Sequence, residues 1–120
     1  MSRPRAIKIS IRAVANSTVV DLEGEIDVGT STIFRAKLFE TLPQTSRLAL
    51  NMTAVRYIDS SGIATLVEVR MKAQQLEKEL VLFGLGARAR DVLKLTHLLG
   101  YFRICDTEEQ AVRGDIAPHG

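Results

Sequence analysis

One short stretch, the near-continuous apolar run from Leu80 to Leu85, constrains the fold more than any other part of the chain. A strand with apolar side chains on both faces is typical of a parallel sheet that helices cover. The run is far shorter than the roughly 20 apolar residues that a membrane helix needs. The sequence therefore predicts a buried strand inside an α/β domain, and no membrane insertion.

The N-terminal part of the chain has the pattern of a β-hairpin. Ile7 to Arg12 alternates apolar and polar residues, which is the period of a half-buried strand. Asn16-Ser17 is a turn signal, and Thr18 to Gly24 returns with strand-forming residues. These features predict two antiparallel strands.

Beyond the hairpin, helix and strand patterns alternate. We expect a helix capped by Thr30 or Ser31 and ended near Pro43, because apolar residues between them recur at helical spacing. Arg47–Met52 predicts a central strand, which 55–58 extends after a polar break, and apolar spacing then predicts a helix towards Lys78.

The C-terminal third predicts one more strand and two helices. A helix through Val92 and Leu95 is expected to close at Gly100 as its C-terminal cap. Phe102–Cys105 predicts a short strand, and 107–110 has the form of a capping box that opens a last helix.

The predicted element order is β-β-α-β-α-β-α-β-α. Such alternation implies right-handed crossovers and a mixed, mostly parallel central sheet of four to five strands with about four helices. The sequence contains no repeat or linker, so we expect one α/β domain over residues 1–120, with its core at about 7–113. The ends, 1–5 and 115–120, are expected to be flexible.

Composition narrows the possible functions. The 120 residues carry a net charge of +2, with 5% aromatic residues and no tryptophan, which disfavours a nucleic-acid partner. The single cysteine, Cys105, excludes an intrachain disulfide and a thiolate metal cluster. No metal or cofactor is expected. The basic start, 1–5, lacks the apolar core of a signal peptide, so we expect a cytoplasmic protein.

The turn Asp59-Ser60-Ser61-Gly62 combines small hydroxyls with an acid before a helical pattern. A catalytic serine would need a general base, and the only candidate, His97, is predicted to lie on an apolar helix. The G-x-S-x-G pattern of a nucleophile elbow is also absent. We therefore expect no catalysis by Ser60 or Ser61.

The sequence gives weaker support to two other kinds of site. Gly84-Leu85-Gly86 follows a strand but lacks the third glycine of a dinucleotide loop, which favours a tight turn. Arg88 and Arg90 beside it are expected to be solvated, or to meet an acidic partner surface. Glu25, Asp27 and Asp59 would converge if their strands were neighbours, yet a helix cap is the preferred role of Asp59.

Phosphorylation of Ser60 is the remaining alternative. The residue is expected to be exposed at a helix start, where free amides and the helix dipole tolerate an anion. The neighbouring Asp59 opposes that anion, so little change in fold is expected. From the residues alone, helix capping is the favoured interpretation and phosphorylation the alternative.

A resemblance that extends over most of the chain favours phosphorylation of Ser60, in addition to the capping role of the turn. Residues 24–27 (G-E-I-D) resemble the G-E-[LI]-D signature of STAS domains, and 57–63 resembles their D-S-[ST]-G-[LI] turn. The segments 83–85, 92–96 and 102–104 look like the C-terminal half of that family. The resemblance covers roughly residues 7 to 113. It departs at Gly86-Ala87, where relatives often have proline, and at the bulkier, more basic Arg56.

The resemblance implies a stand-alone anti-sigma factor antagonist of bacterial type. Its unphosphorylated form would bind an anti-sigma factor serine kinase and release the sigma factor, and the kinase would inactivate it by phosphorylating Ser60. A phosphatase, of the PP2C type, would restore it. The antagonist itself would not be an enzyme, and the nucleotide and magnesium would belong to the kinase. The implied surround of the phosphorylation site consists of Asp27, Asp59, Ser61, Gly62 and Ile63.

An alternative within the same family stays open. Some stand-alone STAS proteins are unphosphorylated subunits that bind the ATPase of a lipid-transport ABC system. The expected oligomeric state is a monomer or a weak dimer.

Overall fold

The computed structural model describes residues 6–113. Five strands and four α-helices follow one another in the predicted order. They are β1 (Ile7–Val14), β2 (Ser17–Ile26), α1 (Ser31–Thr41), β3 (Arg47–Ile58), α2 (Ser60–Gln75), β4 (Glu79–Phe83), α3 (Ala87–Leu95), β5 (Arg103–Cys105) and α4 (Glu108–Arg113). Short 3-10 helices lie at Leu42–Gln44 and Leu99–Tyr101. The flexibility predicted for 1–5 and 115–120 concerns positions outside the described residues.

The strands form one mixed sheet in the order β1-β2-β3-β4-β5. β1 pairs antiparallel with β2, and the other neighbours are parallel, as the alternating pattern predicts. β3 is the central strand, and it runs without interruption through the polar segment that was expected to break it. The register shifts between β2 and β3 absorb this segment as an irregularity in the pairing.

The helices cover the two faces of the sheet unequally. α1, α2 and α3 contribute Leu38, Leu66 and Leu93 to the main core on one face. On the other face, Ala111 of α4 packs into a smaller core with Val81 and other residues of the sheet. β4 therefore has a cover on both sides, which explains the apolar run that the sequence shows.

The end of α3 differs from the prediction. The helix ends at Leu95, and Gly100 lies in the following 3-10 helix, so the predicted cap at Gly100 is wrong. His97 takes the left-handed position instead, with φ of 60°. The amide of Leu98 donates to the carbonyl of Leu93, which closes the helix by a Schellman motif. His97 thus lies beyond the helix on which it was predicted.

Two further local predictions have mixed outcomes. The capping box of α4 is confirmed, because the Thr107 side chain accepts from the Gln110 amide and the Gln110 side chain accepts from the Thr107 amide, both at 3.2 Å. The hairpin turn lies one residue earlier than predicted, since Ser17 already pairs with Val14 as the first residue of β2.

Candidate functional site

The ends of β2 and β3 lie side by side at one edge of the sheet. Ile26 pairs with Ile58, and the amide of Asp59 donates to the Ile26 carbonyl at 3.1 Å. Asp27 and Asp59 therefore follow neighbouring strand ends, which is the condition on which their convergence was predicted. Glu25 instead forms a 3.4 Å ion pair with Arg56.

Asp59 is the N-cap of α2. Its Oδ1 accepts hydrogen bonds from the amides of Ser61 at 2.9 Å and Gly62 at 3.2 Å. Its carbonyl accepts from the Ile63 amide at 3.0 Å, which begins the regular helix ladder. The capping interpretation of this turn is therefore confirmed.

Asp27 stabilises the turn that precedes α1. The side chain is buried, and its Oδ1 accepts from the amides of Gly29 at 2.8 Å and Thr30 at 3.1 Å. Thr30 occupies the N-cap position, but its hydroxyl donates to the Glu25 carbonyl and does not cap the helix. The prediction of a Thr30 or Ser31 side-chain cap is thus wrong. An acid directly after a strand, followed by glycine and threonine, is the signal that points to Asp27.

Gly62 allows α2 to approach the sheet closely. A Cβ atom at this position would lie 2.6 Å from Cγ1 of Ile58 and 2.9 Å from the carbonyl oxygen of Ile26. Gly62 and its neighbour Ile63 are both buried. The space that a glycine leaves here is therefore filled by this chain's own strands, and these two residues support the turn from beneath.

Ser60 is the exposed residue of the turn. Its hydroxyl makes no hydrogen bond to any residue in the described range 6–113, whereas Ser61 is half-buried. Asp59 already occupies the amides of Ser61 and Gly62. The Ser61 and Gly62 amides are therefore not free to bind a phosphate, and an anion on Ser60 would extend into solvent beside a carboxylate.

The loop after β4 has a structural explanation. Gly84 has a φ of 71°, and a Cβ atom there would overlap the Thr53 side chain. The cleft beside this loop is lined by Arg56, Arg88 and their neighbours and measures about 30 Å³. A cleft of this size has room for only a few water molecules, so the tight-turn interpretation is favoured over a dinucleotide loop.

The described residues also limit other chemistry. Among residues 6–113, no group of three or more His, Cys, Asp or Glu side chains is arranged to hold a metal ion. Over that same range, every helix is too short or too polar to cross a membrane.

The sequence is similar to those of two bacterial proteins described as anti-sigma factor antagonists. A Bacillus subtilis protein described as an anti-sigma-B factor antagonist is 26% identical over 107 residues, covering 89% of this chain and 98% of the relative. A Bordetella bronchiseptica protein described as the putative anti-sigma factor antagonist BtrV is 23% identical over 106 residues, or 88% of this chain and 91% of the relative.

Solved structures share the fold. The crystal structure of an anti-sigma factor antagonist from Mycobacterium paratuberculosis superposes with a TM-score of 0.84 at 22% identity, covering 95% of this chain and 97% of that one. A sulfate transporter family protein from Wolinella succinogenes also matches, with a TM-score of 0.73 at 20% identity and coverage of 87% and 88%. The family model of the STAS domain matches residues 8–111. This match covers most of the chain, so the chain belongs to the STAS domain family.

Proposed function

We propose that this protein is an anti-sigma factor antagonist that phosphorylation of Ser60 switches off. The observation that carries the proposal is the exposed, unbonded hydroxyl of Ser60 at the start of a helix that Asp59 caps. A kinase needs such an accessible hydroxyl on a well-positioned backbone. The relatives described as anti-sigma factor antagonists support the same role.

The partner surface would centre on Ser60 and the two strand ends. Val28, in the loop between Asp27 and α1, is 79% exposed although it is apolar. Exposed apolar side chains next to polar ones are common in protein interfaces. Gly62 and Ile63 would contribute by holding the turn in place, because they are buried. The unphosphorylated face would bind the anti-sigma factor serine kinase and release the sigma factor.

Phosphorylation would act mainly on the complex and little on the fold. A phosphate adds about −1.5 to −2 charges. Asp59 leaves no first-turn amide of Ser61 or Gly62 free to compensate that charge. In the free protein, water solvates the exposed phosphate. In a complex, the same phosphate would be desolvated beside Asp59, which costs several kcal/mol and is enough to dissociate a micromolar complex.

The protein itself would perform no catalysis in this cycle. The kinase would supply the nucleotide and its magnesium, and a PP2C-type phosphatase would remove the phosphate. The cycle would take place in the cytoplasm.

The test uses the serine kinase encoded nearest to this gene, with ATP, on the intact protein and on Ser60→Ala and Ser61→Ala. We expect one added phosphate by intact mass on the parent and on Ser61→Ala, and none on Ser60→Ala. Phosphate on Ser60→Ala would overturn the site. In a binding assay, Ser60→Asp should lose the kinase complex while Ser60→Ala keeps it.

The alternative, an unphosphorylated subunit of an ABC transport system, predicts a different result. Ser60→Asp would then bind the ABC ATPase as well as the parent does, and the kinase would add no phosphate.

A further inference from the structure

The edge of the sheet at β1 carries an apolar groove that no described residue fills. Between β1 and α1 lies a groove of about 450 Å³ lined by Ile7, Ile9, Ile33, Ala36, Lys37 and Glu40. Ile33 is 61% exposed and Ile11, further along the strand, is 41% exposed. Within residues 6–113, no strand pairs with the outer side of β1.

The side of α1 that faces this groove is a regular helix stripe. Positions 33, 36, 37 and 40 follow one another at the spacing of one helix face. It is distinct from the stripe of Phe34 and Leu38, which is buried in the main core. α1 therefore presents one apolar side to its own sheet and a second, smaller one to the outside.

The stripe carries one positive and one negative side chain, Lys37 and Glu40, which can pair with those of a second copy related by a two-fold axis. Lys37 and Glu40 form no ion pair with another residue of the described range. When two copies of α1 meet antiparallel, Lys37 of each copy can approach Glu40 of the other, so the ion pair forms twice. A surface with this property fits a second copy of itself.

The backbone of β1 has amide and carbonyl groups that are available to pair with a strand of a second copy. Val14 and Ser17 flank the two-residue turn of the hairpin, which makes them a hydrogen-bonded pair. Every second residue back from Val14, namely Arg12, Ser10 and Lys8, then also bonds to β2. The amides and carbonyls of the residues between them, Ile7, Ile9 and Ile11, therefore point away from β2. The free edge therefore coincides with the apolar positions of the strand.

We propose that this edge is a homodimer interface, in which β1 pairs antiparallel with β1 of a second copy and the two α1 helices pack above it. The register centres on Ile9, so that Ile7 of one copy opposes Ile11 of the other. A register centred on Ser10 would place Lys8 opposite Arg12, and like charges directly opposite each other destabilise strand pairing. The charges thus disfavour the register centred on Ser10.

The proposed interface lies along the outer edge of β1 and does not include Ser60. β1 is two strands away from β3, whose end leads into Ser60. The dimer does not depend on the phosphorylation switch, and either can fail without the other.

Sedimentation velocity over a series of concentrations, from low micromolar to near-millimolar full-length protein, tests the proposal. We expect a reversible dimer of the parent that Ile33→Glu weakens by about tenfold or more, which is about 1.4 kcal/mol. Met71→Glu is the matched control, since Met71 is a similarly exposed (51%) apolar residue on α2. It should dimerise like the parent.

Charge-reversal variants provide a more specific test. Lys37→Glu and Glu40→Lys should each weaken the dimer, because each places like charges across the axis, and the double variant Lys37→Glu/Glu40→Lys should restore it. A parent that stays monomeric throughout, or a dimer that Ile33→Glu and Lys37→Glu leave unchanged, would overturn the proposal. So would an equal loss in Met71→Glu.

Discussion

The backbone amide of Asp59 donates a 3.1 Å hydrogen bond to the carbonyl of Ile26, so β2 and β3 stay paired up to the residue that caps α2. Ser60 therefore extends from a turn that is held on one side by the sheet and on the other by its own helix. The stability of this turn can be tested apart from any partner.

Gly62→Ala should destabilise the protein by about 1–3 kcal/mol, the usual range for an overpacked core position. The added methyl would lie 2.6 Å from Ile58 Cγ1 and 2.9 Å from the Ile26 carbonyl oxygen. Urea unfolding measures the change. Gly86→Ala is the control, because a Cβ atom there meets nothing within 4 Å and its φ of −73° suits alanine. Equal stabilities of the two variants would contradict the close packing of α2.

Asp59→Ala should lower the free energy of unfolding by roughly 1 kcal/mol, since the amides of Ser61 and Gly62 lose their acceptor. Asp59→Asn keeps an acceptor oxygen and should retain most of the stability. Chemical denaturation of the three proteins separates the cap from the charge. A loss in Asp59→Asn as large as that in Asp59→Ala would mean that the charge of Asp59 dominates.

Acid should weaken the contact between β1 and β2. Hydrogen bonds from Arg12, and a further one from Asn51, hold the pKa of Asp21 below its ordinary value of 3.8. The folded state then binds fewer protons than the unfolded state, so this contribution is present above the ordinary pKa and is lost as pH falls through the lower, folded pKa.

Asp21→Asn should therefore flatten the loss of stability below about pH 4, near the unperturbed aspartate pKa. Thermal unfolding at several pH values measures it. Arg35→Gln is a suitable control, because its ion pair with Glu68 is exposed and lies on the helices. An unchanged acid profile in Asp21→Asn would show that other carboxylates control the transition.

Ser60→Glu should change the free energy of unfolding by less than about 1 kcal/mol, because substitutions at exposed positions usually have small effects. Ser61→Glu should cost more, since Ser61 is half-buried. Thermal denaturation compares the two. A large loss in Ser60→Glu would mean that a negative charge at this position acts on the fold, and the switch would then need no docked partner.

Local patterns in the sequence were sufficient to predict the order of strands and helices and part of the candidate site. The apolar run at 80–85 predicted a doubly covered strand, and β4 is buried on both faces. The capping box at Thr107 and the cap at Asp59 were predicted from residue types alone, because such bonds span only two or three residues.

Contacts between segments distant in the sequence determined the features that local patterns did not predict. Helix ends were mispredicted where a non-glycine residue took the left-handed position, as His97 does because Leu98 closes the helix onto Leu93. The need for glycine at position 62 comes from Ile26, far away in the sequence. The exposure of Ser60 and the burial of Ile63 likewise follow from how α2 lies on the sheet. Packing of this kind depends on the relative placement of whole elements, which no local window of sequence contains.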